Sequence, residues 1–161
     1  MIDTTKPLKL GIWRHNGLVR PHPPIERGMD LFTEAVKKAG HKLVDWNPPS
    51  PARACELHDI FLLSDGLADI HEQLGTSGEP LLPQLQAGFP LKDPHPLLDI
   101  HKYTVEATAE EIKFSDYWNS TADEDGRVVD AIIMPGAAHA GVIPGKYYHL
   151  GTLPDTLLSA L

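Results

Sequence analysis

LKLGIWRHNGLVRPHPPIERGMDLFTEAVKKAGHKLVDW (residues 8–46) reads as strand, helix and strand in one short stretch. LKLGIW (8–13) is an apolar run that ends in polar turn residues, the pattern of a buried strand. Pro23 and Pro24 open a helix, where a missing backbone N–H costs nothing. Ile25, Met29, Phe32 and Val36 recur at helical spacing and predict its apolar face. Gly40 suits the residue just past the helix end. HKLVDW (41–46) is the second strand. A β-α-β unit this short predicts parallel strands joined by a right-handed crossover.

Working outward, NPPSP (47–51) is a stiff turn. Residues 52–75 look helical, with a break around Ser64, Asp65 and Gly66. The stretch 76–97 is rich in glycine and proline and predicts a surface loop. A long helix over 97–121 carries Ile100, Tyr103, Ala107, Phe114 and the Tyr117/Trp118 pair along one face. After the acidic turn ADEDGR (122–127), VVDAIIMP (128–135) is apolar enough for a third, central strand. The remaining tail is Gly/Pro-rich and then weakly helical. The expected fold is α/β, one layered domain over 1–161 with three mostly parallel strands and flanking helices. If the first strand lies between the other two, its crossovers diverge there. Open α/β sheets bind ligands outside the carboxyl ends of strands at such a switch point. That topology brings RHNG (14–17) beside GAAHAG (136–141) in one crevice.

Composition excludes several classes. The chain has 161 residues, 42% hydrophobic and 22% charged, with a formal charge of −8. No Lys/Arg cluster offsets that charge, which argues against nucleic acid and anionic membrane as partners. The single cysteine, Cys55, permits neither an internal disulfide nor a multi-thiolate zinc site. The nine histidines are scattered, without a helical pair at ligand spacing, so neither a metal nor another cofactor is expected. The start, MIDTTKPLKLG, lacks a signal-peptide core and no run approaches a membrane span, so a cytoplasmic location is the expectation.

His15 and His139 are the candidate acid–base pair, since imidazole titrates near neutrality; the alternative is that both are loop histidines bonded to backbone. Arg14 and Arg20 suit a carboxylate clamp or a plain surface role. Asn16 offers a donor and an acceptor to a ligand. Asp65 suits an acid, a base or a helix cap. His22, between prolines, reads as a helix-start residue. Tyr147 and Tyr148 either cover a pocket or pack, and Trp13, Trp46 and Trp118 are expected in the core.

Residues 8–49 resemble the segment that opens the second half of amidase-signature enzymes, closest to the fungal general amidase and acetamidase branch. FLLSDGLADI, TSGEPLLPQL, DYWNSTA and VDAIIMPGAAHAGVIPGKYYHLG follow in the family's order, so the resemblance covers about residues 8–151. It implies amide hydrolysis by a Ser–cis-Ser–Lys triad, carried in relatives several times longer by a region upstream of the one matched here. The nearest imitation of that signature, GTSGE (75–79), corresponds to a different family segment, so Ser77 is not expected to be a nucleophile. The resemblance also implies that the HNGLVRPHPP turn and the turn containing Pro135, Gly136 and His139 border the substrate channel, with SDGLADI facing it. Asn16 stands where aspartate is usual, which removes any charge-dependent role at that position.

Two expectations follow. One is a truncated amidase-like enzyme that has kept the crevice and performs acid–base chemistry on a small organic molecule, such as an isomerisation, cyclisation, elimination or decarboxylation, with fungal secondary metabolism as the setting the resemblance suggests. There His15 and His139 are catalytic, and Arg14, Asn16, Asp65, Pro135, Gly136 and Tyr147 bind substrate. The other is a non-catalytic binding or partner protein, or amide hydrolysis only with a complementing partner. Apolar surface uncovered by a missing partner half predicts a homodimer.

Overall fold

The first strand does lie in the middle. In the computed structural model, which describes residues 6–83, 85–86 and 88–141, the order is β1 (Lys9–Ile12), α1 (Pro23–Lys38), β2 (Lys42–Asp45), α2 (Ala52–Leu62), α3 (Ala68–Ser77), α4 (Leu97–Ser120) and β3 (Ala131–Ile133). The sheet order is β2-β1-β3 and both pairings are parallel. Leu10 sits opposite Leu43 on one side and Ala131 on the other.

Strand alternation sends successive side chains to opposite faces. One face meets α4: Trp13, Trp46 and Val129 form its buried centre, with Val44, Ile132, Met134, Phe114, Tyr117 and Trp118 packed around them. The Tyr117 and Trp118 rings meet Trp46 edge-on at 4.9 and 5.1 Å. The Tyr117 hydroxyl accepts a hydrogen bond from the Asn47 N–H at 2.7 Å, tying α4 to the turn after β2. The other face carries Leu10 and Ile12, both buried, on the side of α1.

The apolar stripe of α1 is rotated from the expected one. Met29 and Thr33 are buried and Ile25 and Val36 half-buried, whereas Phe32 is 51% exposed. Thr33 fits there because its hydroxyl donates back to the Asp30 carbonyl at 2.9 Å, so no polar group is left unpaired.

β3 is shorter than the apolar run 128–135. Val129 turns into the core, and Asp130 pairs with Lys9 through its own N–H (2.7 Å) and its carboxylate (2.7 Å) ahead of the regular ladder. Lys9 is 5% exposed. Its ammonium donates to the carbonyls of Thr121 (2.6 Å) and Arg127 (2.8 Å), and Thr121 caps the C-terminus of α4. A cation at a helix C-terminus is favoured by the helix dipole.

The predicted break at 64–66 separates α2 from α3. Asp65 accepts from the Leu67 and Asp69 N–H groups at 2.9 Å each. Gly66, at φ +70, sits so close to the 92–95 segment that a Cβ would lie 2.1 Å from the Lys92 carbonyl oxygen. That contact and the Lys92 N–H to Gly66 oxygen bond (3.0 Å) strap the long loop back onto the helix junction. Arg53 on α2 is ion-paired with Glu106 on α4. Among the described residues no helix is long and apolar enough to cross a membrane.

Candidate functional site

Three parallel strands end on one edge of the sheet, and β1 is the switch point. The turn after β1 returns to open α1, and His22 N–H donates to the Ala138 carbonyl at 2.7 Å. This bond joins the turn after β1 to the turn after β3. The contact runs through His22 and not through 14–17, and the crevice that 14–17 help to line has no wall from 136–141.

A crevice of about 680 Å³ opens between the turn after β1 and α1. Its walls are Arg14 to Pro21, without Asn16, and the α1 side chains Glu26, Met29 and Asp30. Arg14 pairs with Asp30 at 2.8 Å and Arg20 with Glu26 at 3.0 Å. Both pairs are solvent-exposed and so contribute little to stability. Glu26 and Asp30 are missed by a motif reading, although their spacing of one helical turn puts both on the face that looks at the turn. Pro23 and Pro24 carry no N–H, and the Ile25 and Glu26 N–H groups are taken by the His22 carbonyl. The start of α1 therefore offers no backbone anion site, and recognition in the crevice falls to side chains.

His15 is exposed in the crevice wall, and its Nδ1 accepts from the Gly17 N–H at 3.3 Å. The neutral ring then carries its proton on Nε2, the nitrogen left for a ligand. Asn16 is 7% exposed and shapes the turn instead of lining the crevice: its Oδ1 accepts from Leu18 (3.0 Å) and Val19 (3.1 Å). That acceptor role needs only the oxygen, so asparagine performs it where relatives use aspartate. Pro135 is buried, Gly136 exposed and His139 half-buried, all in the turn that receives the His22 bond. Asp65 lies at the α2–α3 junction and is not among the crevice walls; the Asp69 and Leu67 N–H groups hold its carboxyl below the usual value. Tyr147 lies outside the described residues. Ser77 is in the last turn of α3, its hydroxyl donating to the Leu74 carbonyl at 3.4 Å. No group of three or more His, Cys, Asp or Glu among the described residues is placed to hold a metal ion.

The family model Amidase matches residues 2–156. The chain belongs to the amidase family. An acetamidase of Aspergillus oryzae is 30% identical over 150 residues, covering 91% of this chain and 27% of the relative. Amidase 1 of Gibberella moniliformis is 31% identical over 140 residues, covering 85% of this chain and 26% of its own length. This amidase-family chain thus spans about a quarter of the length of these relatives. Its fold superposes on fatty acid amide hydrolase with a TM-score of 0.72 at 24% identity, over 94% of this chain and 26% of that one. The small parallel α/β layer is therefore part of an amidase fold, as the order of motifs implied.

Proposed function

We propose that this chain forms a substrate-crevice wall of an amidase, acting on small amides together with amidase segments that lie outside these 161 residues and supply the nucleophile. The observation that supports this reading is the polar crevice that Arg14, His15 and Arg20 form with Glu26 and Asp30 of α1, beyond the carboxyl end of the central strand of an amidase-family sheet. Serine acyl transfer requires a nucleophile, a base within hydrogen-bond reach and an oxyanion hole. The crevice walls supply polar positioning groups instead. In this role Arg14 and His15 contact the substrate, and Asn16 fixes the turn that presents them.

The test is complementation. The chain is co-expressed with an acetamidase from which the matching segment has been deleted, and ammonia release from acetamide is followed. Activity restored by the chain and reduced by Arg14→Ala supports the reading. Ammonia release by the chain alone overturns it.

A second reading is favoured by the free Nε2 of His15 on the crevice wall. In it the chain is a self-standing acid–base enzyme for a small organic molecule, with His15 and His139 exchanging protons, and it acts as a homodimer. Metabolite-dependent thermal stabilisation lost in both His15→Ala and His139→Ala, without amide hydrolysis in the complementation assay, distinguishes it.

A further inference from the structure

One side of the 24-residue helix α4 packs on the sheet through Phe114, Tyr117 and Trp118. On the opposite side Leu98, Val105 and Ile112 are 67%, 71% and 55% exposed among the described residues. Seven residues make nearly two turns, so the three stand in one line along the helix. Lys102, Ala109 and Asp116 continue the same row and are exposed too. The row 98, 102, 105, 109, 112, 116 advances by four and three residues in turn, the spacing by which two helices meet along a shared seam. A strand, which repeats every two residues, does not match it.

The charges in the row choose the partner. Lys102 stands near one end and Asp116 at the other. A parallel second copy would set Lys102 against Lys102 and Asp116 against Asp116, whereas an antiparallel copy brings opposite signs together. With the two-fold axis midway between Val105 and Ala109, Val105 faces Ala109 of the second copy, Lys102 faces Ile112 and Leu98 faces Asp116. Ala109 is small enough to receive the valine, and the Lys102 stem covers the isoleucine. The Lys102 ammonium then lies one turn, about 6 Å, from Asp116 of the second copy, within reach of its side chain. It gives up only an exposed pair with Asp99 (2.8 Å), which contributes little. Charged residues within a seam weaken association but fix its orientation and register.

We propose that α4 is a self-association surface, on which a second copy of this chain docks antiparallel along the Leu98–Val105–Ile112 row. The proposal is independent of both functional readings, because the crevice takes its walls from α1 and the turn after β1.

Sedimentation equilibrium of the full chain is expected to pass from one chain to two between about 10 and about 500 μM, the range of a small interface. Val105→Glu, made at an exposed position, is expected to weaken dimerisation by more than about tenfold while leaving the near-ultraviolet dichroism unchanged. Lys102→Glu and Asp116→Lys are each expected to weaken it about tenfold, and the two together to restore it, since the signs are then merely exchanged. A chain that stays single throughout that range overturns the proposal and leaves the row to a helix of another protein. A dimer indifferent to Val105→Glu overturns it as well. Single charge variants that dimerise like the unsubstituted chain, or a double variant that stays weak, overturn the antiparallel pairing. The concentration series on the unsubstituted chain decides self-association even where a variant fails to fold.

Discussion

The indole of Trp46 lies against Gly11 so closely that a Cβ on Gly11 would stand 2.8 Å from its Cε3. The ring has nowhere to retreat, since Tyr117 and Trp118 meet it edge-on from α4. Glycine in the middle of a central strand is otherwise a cost. Here it lets β1 pass beneath the aromatic core. Gly11→Ala is expected to destabilise the chain by about 2 kcal/mol through overpacking. The check is a lower urea midpoint together with an altered near-ultraviolet dichroism of the tryptophans.

Lys9 ties the start of β1 to the end of α4. Lys9→Met keeps most of the side chain's bulk but leaves the half-buried carbonyls of Thr121 and Arg127 without their cation. Leaving such acceptors unsatisfied costs about 2 kcal/mol. Thermal unfolding of the variant is expected to show that loss, and Lys9→Arg is expected to recover only part of it because the planar guanidinium does not match a compact ammonium site.

Acid is expected to unfold the chain through three carboxyls. The Lys9 N–H bond and Arg127 hold Asp130 below its usual value, the Arg127 N–H and Lys9 do the same for Asp123, and the Asp69 and Leu67 N–H groups for Asp65. A carboxyl with a lowered folded pKa stabilises fully above its unfolded value, about 3.9. That contribution is lost as pH falls through the lowered folded values. Stability should therefore be flat with pH just above the carboxylate range and fall steeply below about pH 4. Asp130→Asn is expected to make that fall shallower, read from urea midpoints across the range.

Cys55 is 3% exposed, and its thiol is pushed up to about 11, first by burial and then by Asp59 and Glu56. The reactive species is the thiolate. Ellman's reagent at pH 8 is expected to leave the folded chain unmodified and to react promptly once urea is added. Rapid reaction of the folded chain contradicts the placement of α2.

Much of this was legible in the residues. The apolar runs at 8–13, 41–46 and 128–135, and the proline-opened helix between the first two, define a parallel layer on patterning alone. The α4 face of Ile100, Tyr103, Ala107, Phe114 and Trp118 is half-buried along its length, as its spacing predicts. The rotation of α1 was not legible. Hydropathy prefers Phe32 to Thr33, but a threonine that satisfies its own hydroxyl on the helix backbone is as good a core residue. The inward Lys9 was hidden for a similar reason: its acceptors are carbonyls near positions 121 and 127, which no side-chain pattern records. For the site, topology foretold that the turns after β1 and β3 approach each other, which they do at His22 and Ala138, but not that the crevice at 14–17 takes its other wall from α1. The division of labour between His15, which lines the crevice, and Asn16, which builds the turn, depends on which way neighbouring side chains point.

One contact anchors the turn that lines the crevice to the turn after β3, and hydrogen exchange at a single amide tests it. His22 is exposed, yet its N–H is bonded to the Ala138 carbonyl at 2.7 Å. The account predicts that this amide exchanges at least about a hundredfold more slowly than an unstructured peptide of the same sequence. Exchange at the free-peptide rate would contradict an anchored crevice turn, and with it the functional reading that needs Arg14 and His15 held in place.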